Sequence, residues 1–84
     1  MAKLLYFASL REALGCDHEQ LSLSADIQTV DRLKDLLAAR GEPWTTAFTA
    51  DAALLVSVNQ QMAQADSAIS DDDEIAFFPP VTGG

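Results

Sequence analysis

Thr29-Val30-Asp31-Arg32-Leu33-Lys34-Asp35-Leu36-Leu37-Ala38-Ala39-Arg40-Gly41 is the stretch that decides the fold, because it is the one long segment with helical periodicity. Val30, Leu33 and Leu37 fall on one stripe, widened by Leu36, while Asp31, Arg32, Lys34 and Asp35 lie mostly on the other side. Thr29 has the side-chain oxygen that an N-cap needs, and Arg40 followed by Gly41 supplies the stop. The spacing predicts a helix from Val30 to about Arg40. An amphipathic helix has to bury its stripe, and most of the surrounding sequence reads as strand.

Upstream, Lys3-Leu4-Leu5-Tyr6-Phe7-Ala8 is rich in aromatic and aliphatic residues and reads as a strand. Ser9 to Gly15 reads as a short helical turn stopped by Gly15, and Glu19 to Ser24 alternates polar with apolar like a half-buried strand. Downstream, Pro43 to Phe48 forms a second short turn that packs Trp44 or Phe48 under the sheet. Ala53 to Val58 is a strand, Asn59-Gln60 a tight hairpin turn, and Gln61 to Gln64 its short return. Asp66 to Asp73 is polar turn material before the last strand, Glu74-Ile75-Ala76-Phe77-Phe78. The expected class is α+β: a ubiquitin-like β-grasp, with a mixed sheet of four to five strands wrapped around one main helix.

Two units are expected, a β-grasp domain over residues 1–78 and a flexible, extended C-terminal tail over 79–84. Pro79 and Pro80 fix φ near −65° and donate no backbone hydrogen bond, so the chain has to leave the sheet there. Gly83 and Gly84 offer a slim backbone whose carboxylate fits a narrow channel. A frayed end is the alternative for any terminus. It does not account for an apolar strand, two prolines and Gly-Gly in that order.

Composition limits the function classes. The 84 residues suffice for one domain, and 49% hydrophobic content supplies a core. No apolar run is long enough to cross a membrane, the start reads directly into a strand without a signal peptide, and Cys16 has no second cysteine to pair with. A cytoplasmic protein is expected. Thirteen acidic against five basic residues give a net charge of −8, which disfavours nucleic acid and suits a partner with a basic cleft. Simple solubility accounts for the same charge.

Few side chains here could do chemistry. Cys16 lacks a CxxC partner and reads as a structural thiol, with His18 a chance loop neighbour. Asp71-Asp72-Asp73-Glu74 lacks the alternate spacing and the glycine of a calcium loop, and reads as a solvated turn. There is no phosphate-binding glycine loop and no metal-ligand spacing, so no bound cofactor is expected. The sheet, however, has more apolar surface than one helix covers. If Leu4, Tyr6 and Ala8 face the helix, Leu5 and Phe7 face outward; if Ile75 and Phe77 face in, Ala76 and Phe78 face out. Outward Leu5, Phe7, Leu55 and Phe78 would make a patch for another protein to bury, unless the register is shifted by one or short turns cover that face.

The string Phe77-Phe78-Pro79-Pro80-Val81-Thr82-Gly83-Gly84 resembles the C-terminus of the small subunits of molybdopterin synthase, the MoaD type of sulfur carrier. Leu5-Tyr6-Phe7-Ala8-Ser9-Leu10-Arg11-Glu12, Thr29-Val30 and Val58-Asn59-Gln60 are similar to the same family. The resemblance implies that an E1-like adenylyltransferase, which uses ATP, activates Gly84, and that a sulfurtransferase relay supplies sulfur. It implies that Pro79, Pro80, Val81, Thr82 and Gly83 enter the large subunit, where the Gly84 thiocarboxylate converts cyclic pyranopterin monophosphate to molybdopterin. By position, Phe7, Met62 and Phe78 would form the docking patch with Arg11 nearby, in a heterotetramer of two carriers and two large subunits. Carriers for thiamine or tRNA thiolation, or an inert ubiquitin-like module, are the rivals. The family commonly has glycine where this chain has Asp72, so a positive φ with a small penalty is expected there.

Overall fold

Strands from the two ends of the sequence lie side by side at the centre of the sheet. The computed structural model describes residues 1–49 and 54–79. Along the chain run β1 (Ala2–Tyr6), α1 (Ala8–Leu14), β2 (His18–Leu21), α2 (Val30–Ala38), α3 (Trp44–Ala47), β3 (Leu55–Val58), β4 (Gln61–Ala63) and β5 (Glu74–Phe78). Among the described residues these form one sheet of order β2-β1-β5-β3-β4. β1 pairs with β5 in parallel and every other neighbour is antiparallel. A mixed sheet holding one main helix is the β-grasp fold. No helix among the described residues is long and apolar enough to cross a membrane.

Strand alternation sorts the two sheet faces. Leu4, Tyr6, Val56, Ile75 and Phe77 point inward and are buried with Val30, Leu33 and Leu37 of α2. Phe48, just after α3, is buried too and meets Phe77 edge-on, with ring centroids 5.2 Å apart. Tyr6 stacks on Phe77 at 6.3 Å and lies 6.3 Å from Phe48, so the three rings form one cluster. The predicted packing of the Pro43–Phe48 turn under the sheet is therefore present, and Phe48 is the deeper of its two aromatics.

α2 starts where Thr29 predicts, with its side-chain oxygen accepting from the Arg32 N–H at 3.3 Å. The first two helical N–H groups are taken by the loop before β5: Val30 donates to the Ser67 carbonyl at 3.1 Å and Asp31 to the Ala65 carbonyl at 2.8 Å. These are donors that a helix cannot satisfy internally. The Asp66–Asp73 segment is thus more than polar turn, since it caps α2 and buries Ile69 in the core. The helix ends at Ala38, earlier than Arg40: the Arg40 N–H bonds to the Leu37 carbonyl, three residues back, at 3.1 Å, and Gly41 turns the chain away at φ 90.

Other boundaries shift for identifiable reasons. β1 stops at Tyr6 because Ala8 sits at φ 54, in the left-handed region, and turns the chain sharply into α1. The Phe7 carbonyl accepts from both Leu10 and Arg11 N–H groups and so starts that helix. Gly15 closes α1 at φ 67, as its position predicts. Asn59 and Gln60 have φ of 52° and 70°, the signature of the two-residue hairpin turn. Asp72 is not among the positive-φ residues, so the penalty expected there does not arise.

Candidate functional site: the outward sheet face and the root of the tail

The outward face presents apolar residues on four strands, from the Leu5–Ala76 pair toward the tail, and the register orders them into rows. One row runs Leu5, Ala76, Ser57, Met62 across β1, β5, β3 and β4. At the end of the sheet that leads to the tail, Phe7 and Phe78 meet with ring centroids 5.6 Å apart. Leu55 pairs directly with Phe78. Phe7, Leu55 and Met62 remain 44%, 38% and 64% exposed, while Phe78 and Leu5 are half-buried. A solvated antiparallel face would carry polar residues at these positions. The predicted patch of Leu5, Phe7, Leu55 and Phe78 is present, and Ala76 continues it.

Residues assigned only by resemblance also have definite places. Met62 is on the same face, one strand beyond Ser57. Arg11 is exposed on α1, one helical turn after Phe7. Pro79 follows Phe78 directly and is half-buried. Pro80, Val81, Thr82, Gly83 and Gly84 lie outside the described residues.

Within the charged cluster noticed in the sequence, Asp71 and Asp73 are engaged by hydrogen bonds from the chain. Asp71 accepts the Leu23 N–H at 2.8 Å, and Asp73 accepts the Ser70 N–H at 2.8 Å and the Asn59 amide at 2.9 Å. The bond from Leu23 N–H holds the Asp71 carboxyl below its usual range. His18 Nδ1 is 2.8 Å from Asp17, whereas the Cys16 thiol donates to the His18 carbonyl and not to its ring. Among the described residues no three His, Cys, Asp or Glu side chains gather to hold a metal ion.

A second constellation escaped the sequence reading. Arg40 grips Glu19 with two hydrogen bonds of 2.9 and 2.8 Å, and the Tyr6 hydroxyl donates to the same carboxylate at 2.8 Å. The Arg40 guanidinium lies 4.4 Å from the Trp44 ring centroid. The Arg40 bonds hold Glu19 below the ordinary carboxylate range, against a smaller opposing effect of burial. Burial first, and then the Glu19 bond, push the Tyr6 phenol well above its usual value. These residues come from β1, β2, the end of α2 and α3, on the covered side of the sheet. They fasten the edge strand β2 to the helical layer and leave the outward face free.

A model described as the ThiS family matches residues 4–84. The chain belongs to the ThiS family. Over 84 residues it is 44% identical to the molybdopterin synthase sulfur carrier subunit of Escherichia coli K12, with all of both chains covered. It is 42% identical to the subunit of that name from Haemophilus influenzae, again with full coverage of both. Among solved structures it is similar to SAMP1 from Haloferax volcanii, with a TM-score of 0.76, 29% identity, and 99% and 98% of the two chains covered. In this ThiS-family chain the exposed Phe7 ring, the half-buried Phe78 ring and the start of the tail share one edge of one face.

Proposed function

We propose that this chain is the sulfur carrier subunit of a molybdopterin synthase, acting through Gly84 as its C-terminal residue. The observation that carries the reading is 44% and 42% identity over the full length to sulfur carrier subunits, together with the Pro79-Pro80-Val81-Thr82-Gly83-Gly84 approach. The apolar face ending at Phe7 and Phe78 supports it, because a partner seated there receives the tail at its root.

The chemistry follows from the handle. An E1-like adenylyltransferase joins the Gly84 carboxylate to the α-phosphorus of ATP and releases pyrophosphate. A persulfide sulfur from the sulfurtransferase relay attacks the acyl-adenylate carbonyl and AMP leaves. A thiol then cleaves the sulfur–sulfur bond and leaves the thiocarboxylate. Inside the large subunit that sulfur attacks cyclic pyranopterin monophosphate, and hydrolysis returns the Gly84 carboxylate. Glycine suits each step because it adds no side chain beside the reacting carbonyl. The chain binds no cofactor and is not an enzyme alone; it is the sulfur-donating subunit of a cytoplasmic, heteromeric sulfurtransferase. Residues 1–78 form the docking body and 79–84 the inserted arm.

Intact-mass measurement of protein from its own cell should find sulfur in place of one terminal oxygen. Deleting Gly84, or adding a residue after it, should abolish molybdopterin formation in a reconstituted synthase while leaving thermal unfolding unchanged. Undiminished turnover in either variant refutes the carrier mechanism. Sulfur loading without molybdopterin formation would assign the carrier to another thiolation pathway.

A further inference from the structure

At the centre of the outward face is a small, low floor. Ala76 and Ser57 are paired across β5 and β3 and are 6% and 8% exposed. Leu5 flanks it on β1 and Met62 on β4, while the paired Phe78 and Leu55, with Phe7 against Phe78, close its end toward the tail. Ser57 is the polar residue of the buried set, and none of the side-chain hydrogen bonds among the described residues involves its hydroxyl. Among the described residues no fully buried side-chain oxygen or nitrogen lacks a partner, so the Ser57 oxygen still reaches the surface of the trough.

A hydroxyl stripped of most of its water and given no bond among the described residues is a cost to the free chain. Alanine would fill the same floor without that cost. The hydroxyl is instead aimed into the trough, between two apolar walls, where docking removes its remaining water. We propose that Ser57 determines partner specificity by hydrogen bonding to a polar group, at the centre of the docked interface, on an apolar segment of the large subunit that fills the trough. This rests on the docking reading above, and the trough is continuous with the Phe7–Phe78 edge at which the tail begins. Apolar contact around the bond excludes water and lets one hydroxyl discriminate between partners, since a mismatched segment leaves buried polar groups unpaired.

The test is Ser57→Ala, with Phe78→Ala as the control for docking. Thermal unfolding of the free chain and calorimetric titration with the large subunit from the same organism are measured for both. The expected result for Ser57→Ala is a melting temperature equal to or above that of the unaltered chain, together with affinity weakened roughly 5- to 50-fold. A residue with a merely structural role would lower both or neither. Unchanged or tighter binding by Ser57→Ala, with Phe78→Ala weakened, overturns the Ser57 assignment and leaves the docking face intact. A lowered melting temperature for Ser57→Ala also overturns it, because the hydroxyl then has a bond within the free chain. Unchanged binding by both variants removes the docking face itself.

Discussion

The two faces of the sheet are built by the same strands and both are apolar, yet they have different fates. Leu4, Tyr6 and Phe77 are covered by the chain's own helices; Leu5, Phe7 and Phe78, their immediate neighbours in sequence, lie on the other face and keep part of their surface exposed. Phe77 and Phe78 make the contrast sharpest. One is fully buried against Tyr6 and Phe48, and the other leans on Phe7 at the edge of an open face. A single step along a strand therefore separates a residue that holds the fold from one available to a partner. Apolar character alone does not report stability; what matters is whether the covering surface belongs to the same chain.

The largest expected effect lies on the covered face. Phe77→Ala should cost about 3–5 kcal/mol of folding stability, because the cavity would open inside a packed aromatic cluster. Urea unfolding measures it, and a loss under 1 kcal/mol would contradict the division between faces. Against a total of about 5–15 kcal/mol for a typical domain, that loss brings the variant close to unfolding.

Phe78→Ala should behave oppositely. Stability should fall by about 1 kcal/mol, reflecting the ring pair with Phe7, while affinity for the large subunit should fall by about 1–3 kcal/mol. An unaltered dissociation constant would take Phe78 out of the interface.

A smaller effect should appear in acid, and it belongs to the covered side. Glu19 has its folded pKa lowered below the ordinary 4.5 by Arg40 and Tyr6. A lowered carboxylate stabilises the fold at pH values above the ordinary one, and that stability is lost as pH falls through the folded value. Subtracting the stability–pH profile of Glu19→Gln from that of the parent should leave a difference that is constant near neutrality and shrinks below about pH 4.5. A difference that grows on acidification would reverse the assignment. Docking at neutral pH should be the same for both proteins.

The smallest effect is a gain. Gln60 adopts φ 70 in the hairpin that carries Met62 to the open face. Gln60→Gly should stabilise the chain by about 0.5–1 kcal/mol, since glycine meets no left-handed penalty and loses only part of that gain to backbone entropy. Thermal unfolding reads the gain, and partner affinity should stay constant if Met62 keeps its place.

How far this was legible in the sequence differs by residue. The α2 stripe, the Thr29 cap, the Gly15 stop and the Asn59-Gln60 turn are local signals, each written within a few residues, and each is found where expected. Strand alternation likewise assigned Phe7 and Phe78 to one face. Ile69 was missed because one apolar residue among Asp, Ser and Ala carries no period. The Tyr6–Glu19–Arg40–Trp44 cluster was also missed, since its members are distant in sequence and meet only after the sheet has closed on α2.

The sequence by itself determined the elements, their buried stripes and the Pro-Pro then Gly-Gly order of the tail. Periodicity, φ restriction and capping act within one or two turns of chain. Only the tertiary structure decided that β1 and β5 are central neighbours, that Ser57 lies beside Ala76 on the open face, and that the Arg40 side chain, just past its helix, meets Glu19. Those outcomes depend on pairing residues far apart in the chain, which is fixed by how the sheet and α2 bury one another.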